Sequence, residues 1–164
     1  MDHRRQPDSL TVMTELVLPN DANILGNLLG GRLLHWIDIA GAMAASRFTQ
    51  GLVATVAMDP VNFRHPVKVG SIVTLTARVT WTGRTSLETM VEVTAEAAPY
   101  GACQSITSTH VVFVAMDESA QKRSFLPFAS QTEAEKREFE EGARRQEERT
   151  KAGTDGDKRP GCGT

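Results

Sequence analysis

Gly30-Gly31-Arg32-Leu33-Leu34-His35-Trp36-Ile37-Asp38-Ile39-Ala40-Gly41-Ala42-Met43-Ala44-Ala45 is the stretch on which the fold turns. Leu33, Leu34, Ile37, Ala40, Gly41, Ala44 and Ala45 recur at helical spacing. The run is Ala-rich and suited to close packing all round. It predicts a buried helix that starts near Gly30 and is ended by Gly51.

On either side the period changes from helical to alternating. Before the helix, Thr11 to Leu18 reads as a strand stopped by Pro19-Asn20-Asp21. After it comes a short apolar run, Leu52 to Met58. Val69 to Trp81 then alternates, with Val73, Leu75, Ala77, Val79 and Trp81 facing one way and Thr74, Thr76, Arg78 and Thr80 the other. Leu87 to Ala95 sets Leu87, Thr89, Val91, Val93 and Ala95 against Glu88, Met90, Glu92, Thr94 and Glu96. Ile106 to Met116 is a further long strand. Thr82-Gly83-Arg84 is a tight hairpin signal and Ala98-Pro99-Tyr100-Gly101 a looser connection. Alternation with one polar face argues for an antiparallel sheet covered on one side. The economical architecture is α+β: a curved antiparallel sheet wrapped around one long central helix.

The chain has 164 residues, 40% hydrophobic and 23% charged, with a net charge of -2. This is ordinary for a globular protein and excludes a collagen-like, fully disordered or disulfide-scaffold chain. There is no global basic field to recruit nucleic acid, so an anionic ligand needs a local cluster of cations. The short polar start, with Arg4 and Arg5, does not read as a signal peptide. No run is long and apolar enough for a membrane span. Cys103 and Cys162 suit neither a disulfide nor a metal site, and two free thiols fit a cytoplasmic protein.

The expected organisation is a flexible tail at 1–9, a domain at 10–118, a charged helical extension at 119–152 and a disordered tail at 153–164. The extension pairs Glu133 with Arg137 and Glu141 with Arg145 at i,i+4, which predicts a solvated helix without a partner.

Three features of the helix and its approach carry chemistry. Asp38 stands between Ile37 and Ile39, where an unpaired buried carboxylate is costly. It therefore has a partner, a raised pKa, or a cleft or interface to face. Gly30 and Gly31 leave backbone N–H groups bare at the positive end of a helix. They serve either close helix–sheet contact or the approach of an oxyanion. Asn23 either closes a turn or polarises a carbonyl. His35 lies one turn before Asp38 at a spacing that is as well explained by chance. His110 reads as structural, and Ser46 lacks a base to form a triad.

In order along the chain, Asp21-Ala22-Asn23, Gly26, Gly30-Gly31, Trp36-Ile37-Asp38-Ile39-Ala40-Gly41, Val56 to Gly70 and Gly83-Arg84-Thr85-Ser86 resemble the acyl-CoA thioesterases of the hotdog fold, in the branch of the bacterial and brain acyl-CoA hydrolases. The resemblance spans about residues 10 to 150. It implies a site at a dimer interface, with Asp38 of one subunit as general base or nucleophile and Asn23 of the other positioning the thioester or the water. Backbone donors would come from Gly30 and Gly31. Coenzyme A would be held by Gly83, Arg84, Thr85 and Ser86, with Arg64, His65 and Lys68 secondary. The homodimer is the minimal unit and a trimer of dimers the expected assembly. No cofactor is implied, since coenzyme A is part of substrate and product. The pre-helix loop, Pro19 to Leu29, has no histidine, which sets the chain apart from hydroxyacyl-thioester dehydratases. A non-catalytic acyl-CoA-binding protein is the remaining alternative.

Overall fold

A computed structural model of the chain describes residues 3–97 and 101–156. Five strands, β1 (Thr11–Leu16), β2 (Leu52–Met58), β3 (Ile72–Thr82), β4 (Ser86–Glu96) and β5 (Cys103–Met116), form one sheet in the order β1-β3-β4-β5-β2. Every neighbouring pair is antiparallel. The helix α1 (Gly30–Thr49) is gripped by the curled sheet, as the hotdog architecture requires, and α2 (Glu133–Gly156) follows it.

Apolar periodicity explains the grip. Leu33, Ile37, Ala40, Ala44, Ala45 and Phe48 of α1 bury against Val73, Leu75, Ala77 and Val79 of β3, Val91 and Val93 of β4, and Phe113 of β5. Each fully buried Leu, Ile, Val or Phe among these contributes roughly 1.5–3 kcal/mol. Small residues set how closely helix and sheet approach. A Cβ on Gly41 would meet Thr89 Oγ1 at 2.9 Å and the Phe113 ring at 3.1 Å.

Several expectations need correction. The alternation of β3 shifts at a bulge between Val79 and Trp81. Trp81 therefore leaves the core face and packs on the outer one, where Gly142 of α2 lies over it: a Cβ there would come 2.6 Å from that of Trp81. The helix α1 ends not through Gly51 but through Gln50, which takes the left-handed conformation at φ 54°. Gly51 instead leaves room for the Arg123 guanidinium, which lies where a side chain at that position would project. Arg123 in turn donates to the Thr49 carbonyl at 2.8 Å, satisfying the helix end.

Residues 1–9 are not simply a tail. Gln6–Ser9 form a 3-10 turn, and buried Ser9 accepts a hydrogen bond from Val79 N at 2.9 Å. The extension is helical only from Glu133. The stretch before it brings Phe125 and Phe128 against Phe48, and Phe128 stacks on Phe139 of α2 at 5.7 Å. Thus α2 is docked on the outer face of the sheet rather than solvated. It continues to Gly156 across the start of the tail expected to be disordered. Residues 98–100 of the looser connection and Cys162, with the rest of 157–164, lie outside the described residues.

Candidate active site

The face of α1 opposite the sheet is uncovered in the single chain. Leu34, Ile39 and Met43 remain 37%, 36% and 36% exposed, and His35 and Asp38 lie among them. Asp38 is accordingly half-buried rather than enclosed, because it faces the edge of the sheet and not the core beneath it. Its partner is Thr55 of the edge strand β2, whose hydroxyl donates to Asp38 Oδ1 at 2.7 Å. Thr55 went unnoticed in the sequence; its one signal is a hydroxyl inside the apolar run Leu52 to Met58. No hydrogen bond joins His35 to Asp38 among the described residues.

Asn23 shapes the loop that leads to the helix. Its Oδ1 accepts from Leu25 N at 3.0 Å and Asn27 N at 3.2 Å, and Asn23 N donates to Asn27 O at 2.9 Å. The turn also uses Gly26 at φ 74°. With the side-chain oxygen committed to the backbone, Nδ2 is left as an outward donor. The loop raises Ile24 and Leu25 into solvent, both strongly exposed. Its far end is anchored where Leu29 N donates to Asp21 O at 2.9 Å.

The helix begins at Gly30 with no side-chain cap. A Cβ on Gly30 would make only ordinary contact with Phe63, at 3.6 Å, and one on Gly31 would touch nothing within 4 Å. Close helix–sheet packing therefore does not demand this pair, in contrast to Gly41. A cavity of about 310 Å³ opens beside Gly30, between Leu28, Leu33, Phe63 and Arg64. Arg64 Nη1 donates to Ser105 Oγ at 2.8 Å, and exposed Lys68 bridges to Asn27 through the backbone.

The third group sits elsewhere. The turn Gly83–Ser86 is closed by Gly83 N donating to Ser86 O at 2.8 Å, and Thr85 O accepts from Ala115 N at 2.8 Å. Arg84 projects from it, exposed and with no anionic partner among the described residues. Ser86 pairs with Val114 of β5, whereas Arg64 N bonds to Ile106 O on the same strand. Eight residues of strand separate those levels, roughly 26 Å. One protomer thus does not bring Arg84 together with Asn23, Gly30, Gly31, Arg64 and Lys68. Asp38 and Thr55 lie nearer the Arg84 end, since Thr55 pairs with Phe113 and Phe113 with Leu87.

The outer face holds the strongest electrostatics. Glu88 is fully buried and accepts Arg145 Nη2 at 2.8 Å, Thr80 Oγ1 at 2.7 Å and Arg149 Nη2 at 2.8 Å. Burial alone would raise its pKa; the hydrogen bonds from Arg145, Thr80 and Arg149 and nearby positive charge overcome this and hold it at about 2. His110, 3.7 Å from Asp59, is held below its ordinary value mainly by burial, against the pull of Glu88. No three His, Cys, Asp or Glu side chains are grouped to hold a metal among the described residues. Nor is any described helix long and apolar enough to cross a membrane.

A long helix gripped by a curled five-stranded antiparallel sheet is the hotdog architecture. The family model of the thioesterase superfamily matches residues 25–101. The acyl-CoA thioester hydrolase YciA of Salmonella typhimurium is 32% identical over 120 residues, 71% of this chain and 90% of that protein. The crystal structure of an acyl-CoA hydrolase from Bacillus cereus superposes with a TM-score of 0.88 at 30% identity, covering 96% of each chain. An apo-hexameric acyl-CoA thioesterase gives 0.86 at 35% identity, over 93% of this chain and 98% of that one. The chain belongs to the thioesterase superfamily, among its acyl-CoA thioester hydrolases.

Proposed function

We propose that the protein hydrolyses acyl-CoA to a free fatty acid and coenzyme A at sites completed by a second copy of the chain. One observation carries this: Asp38 is oriented by Thr55 on a helix face that is apolar, open and wrong for solvent. A helix apolar on both sides needs cover on both sides. A second copy laid across α1 and the edge strand β2 would supply it. That copy would also bring the Asn23 loop, with its exposed Ile24 and Leu25, to a helix face from which its own chain holds it apart.

In this arrangement Asp38 acts as general base on water or attacks the thioester carbon directly. The Asn23 amide donates to the carbonyl or the water. Gly30 and Gly31 N–H groups receive the oxyanion, an effect worth roughly 3–4 kcal/mol per donor in other acyl-transfer enzymes. The bond from carbonyl to sulfur then breaks and the coenzyme A thiolate takes a proton; on the base route the water has become part of the departing acid, and on the direct route water first hydrolyses the acyl anhydride formed on Asp38. Arg84, with Gly83, Thr85 and Ser86, grips coenzyme A phosphate from one chain; Arg64 and Lys68 serve from the other end. Dimers of this kind assemble in threes. The setting is cytoplasmic fatty acid metabolism, in keeping with the free, exposed thiol of Cys103.

Release of thiol from a panel of acyl-CoAs, followed with a thiol reagent, tests the reading. Wild type should turn over and Asp38→Ala should not. Tight acyl-CoA binding with no thiol released by wild type would instead make this a binding protein.

A further inference from the structure

The edge strand β2 has β5 as its only neighbour in the sheet among the described residues, yet it carries the hydroxyl that orients Asp38. The pairing of β2 and β5 is also interrupted by a register shift between Thr55 and Ala57. Backbone pairing with β5 is therefore interrupted just past Thr55. One residue past the strand, Asp59 is fixed from three directions. Its N donates to His110 O at 2.9 Å, its carbonyl accepts Thr109 Oγ1 at 3.1 Å, and its carboxylate takes both arms of Arg149 at 2.9 and 2.8 Å.

Arg149 comes from α2. It also donates to Glu88 at 2.8 Å, but Glu88 already accepts Arg145 at 3.0 and 2.8 Å and Thr80 at 2.7 Å. The fork on Asp59 is thus additional to what the buried charge requires. Asp59 is 28% exposed, where an ion pair adds little stability but a two-point fork still fixes position.

We propose that Arg149 is a positioning residue for hydrolysis: by clamping Asp59 it fixes the end of β2, and through β2 the Thr55 hydroxyl that aims Asp38. The C-terminal helix is then part of the working site although it touches no substrate. This inference rests on the reading of Asp38 given above. Small displacements of a reacting group cost about a hundredfold in rate in other enzymes. Arg149→Gln in the full chain should lower kcat about tenfold or more and leave KM within about twofold. Asp59→Asn, which spares Glu88, should reproduce that loss, and Arg149→Lys should recover part of it.

The deciding measurement is the double variant Thr55→Ala/Arg149→Gln, assayed by thiol release on protein whose circular dichroism and oligomeric state match wild type. If Arg149 acts through Thr55, the double variant is no slower than Thr55→Ala alone. Losses that multiply, or a wild-type kcat in either Arg149→Gln or Asp59→Asn, overturn the clamp. Asp38→Asn separates the two levels. A rate retained by Asp38→Asn overturns the assignment of Asp38 itself. A rate lost there but kept in Arg149→Gln overturns the clamp alone.

Discussion

Thr55 and Asp38, 17 residues apart in the chain, are joined by a hydroxyl–carboxylate hydrogen bond of 2.7 Å between the sheet edge and the open face of the central helix. The bond occupies one carboxylate oxygen and leaves the other for chemistry. Removing the hydroxyl leaves the charge in place but releases its aim. Thr55→Ala should therefore lower kcat about tenfold, the worth of one hydrogen bond to a charged group, with KM little changed. Steady-state thiol release measures both.

The role of Asp38 is separable by isotope. In a single turnover in H2(18)O with enzyme in excess, a general base sends the label straight into the product acid and leaves the protein unlabelled. A nucleophile first forms a mixed anhydride with the acyl group, and water that opens it at the Asp38 carbon leaves the label in that carboxylate. Label found by mass spectrometry in the peptide containing Asp38 establishes the nucleophile.

The uncovered stripe of α1 predicts what holds two copies together. Ile39→Glu or Met43→Glu places a charge where apolar side chains are 36% exposed in the single chain. The chain should fold but fail to associate, because an unpaired interfacial charge is costly. Light scattering should report monomers, and activity should vanish with the dimer. An active monomer would contradict a shared site.

Arg84 has no anionic partner to lose among the described residues, so its removal should not disturb the fold. Arg84→Ala should raise KM by more than it lowers kcat if the guanidinium grips coenzyme A phosphate and takes no part in bond cleavage. The effect should shrink in high salt, where exposed charges are screened.

Acid should loosen the outer face before the core. Glu88 is held at about 2, below its ordinary 4.5, so it stabilises the fold fully above 4.5 and progressively less as the pH falls toward 2. His110 is held below 6.5 chiefly by burial, so the fold prefers its neutral form. That contribution is complete above 6.5 and wanes as the pH drops below it. Both act in the same direction. Thermal unfolding followed from pH 8 to 3 should show Tm level down to about pH 6.5 and falling below it, and His110→Gln should flatten only the upper part of the decline.

Strand and helix positions were readable because apolar periodicity is a local property. Leu33 to Phe48 and the alternation of β4 predict their own burial. Trp81 was assigned to the wrong face because a bulge changes the phase of a strand without any marker in composition. The docking of α2 was hidden for another reason. Glu88 alternates as a solvent residue should, and its partners Arg145 and Arg149 lie 57 and 61 residues away. Of the candidate site, Asp38 and the glycine pair stand out as residue types wrong for their surroundings, whereas Asn23 is an ordinary turn residue that gains meaning only from the resemblance. The layout of the site was not legible, since Thr55 is an unremarkable threonine and sequence order conceals that Arg84 and Arg64 lie at opposite ends of β5.

The turn around Asn23 has a polarity that cannot be reversed. Because its oxygen is spent on Leu25 N and Asn27 N, the amide cannot rotate to present an acceptor without dismantling the loop. Aspartate there would build the same turn with the same two bonds, yet offer no proton outward. Architecture and chemistry, fused in one side chain, thus come apart at the exchange of a single nitrogen for oxygen.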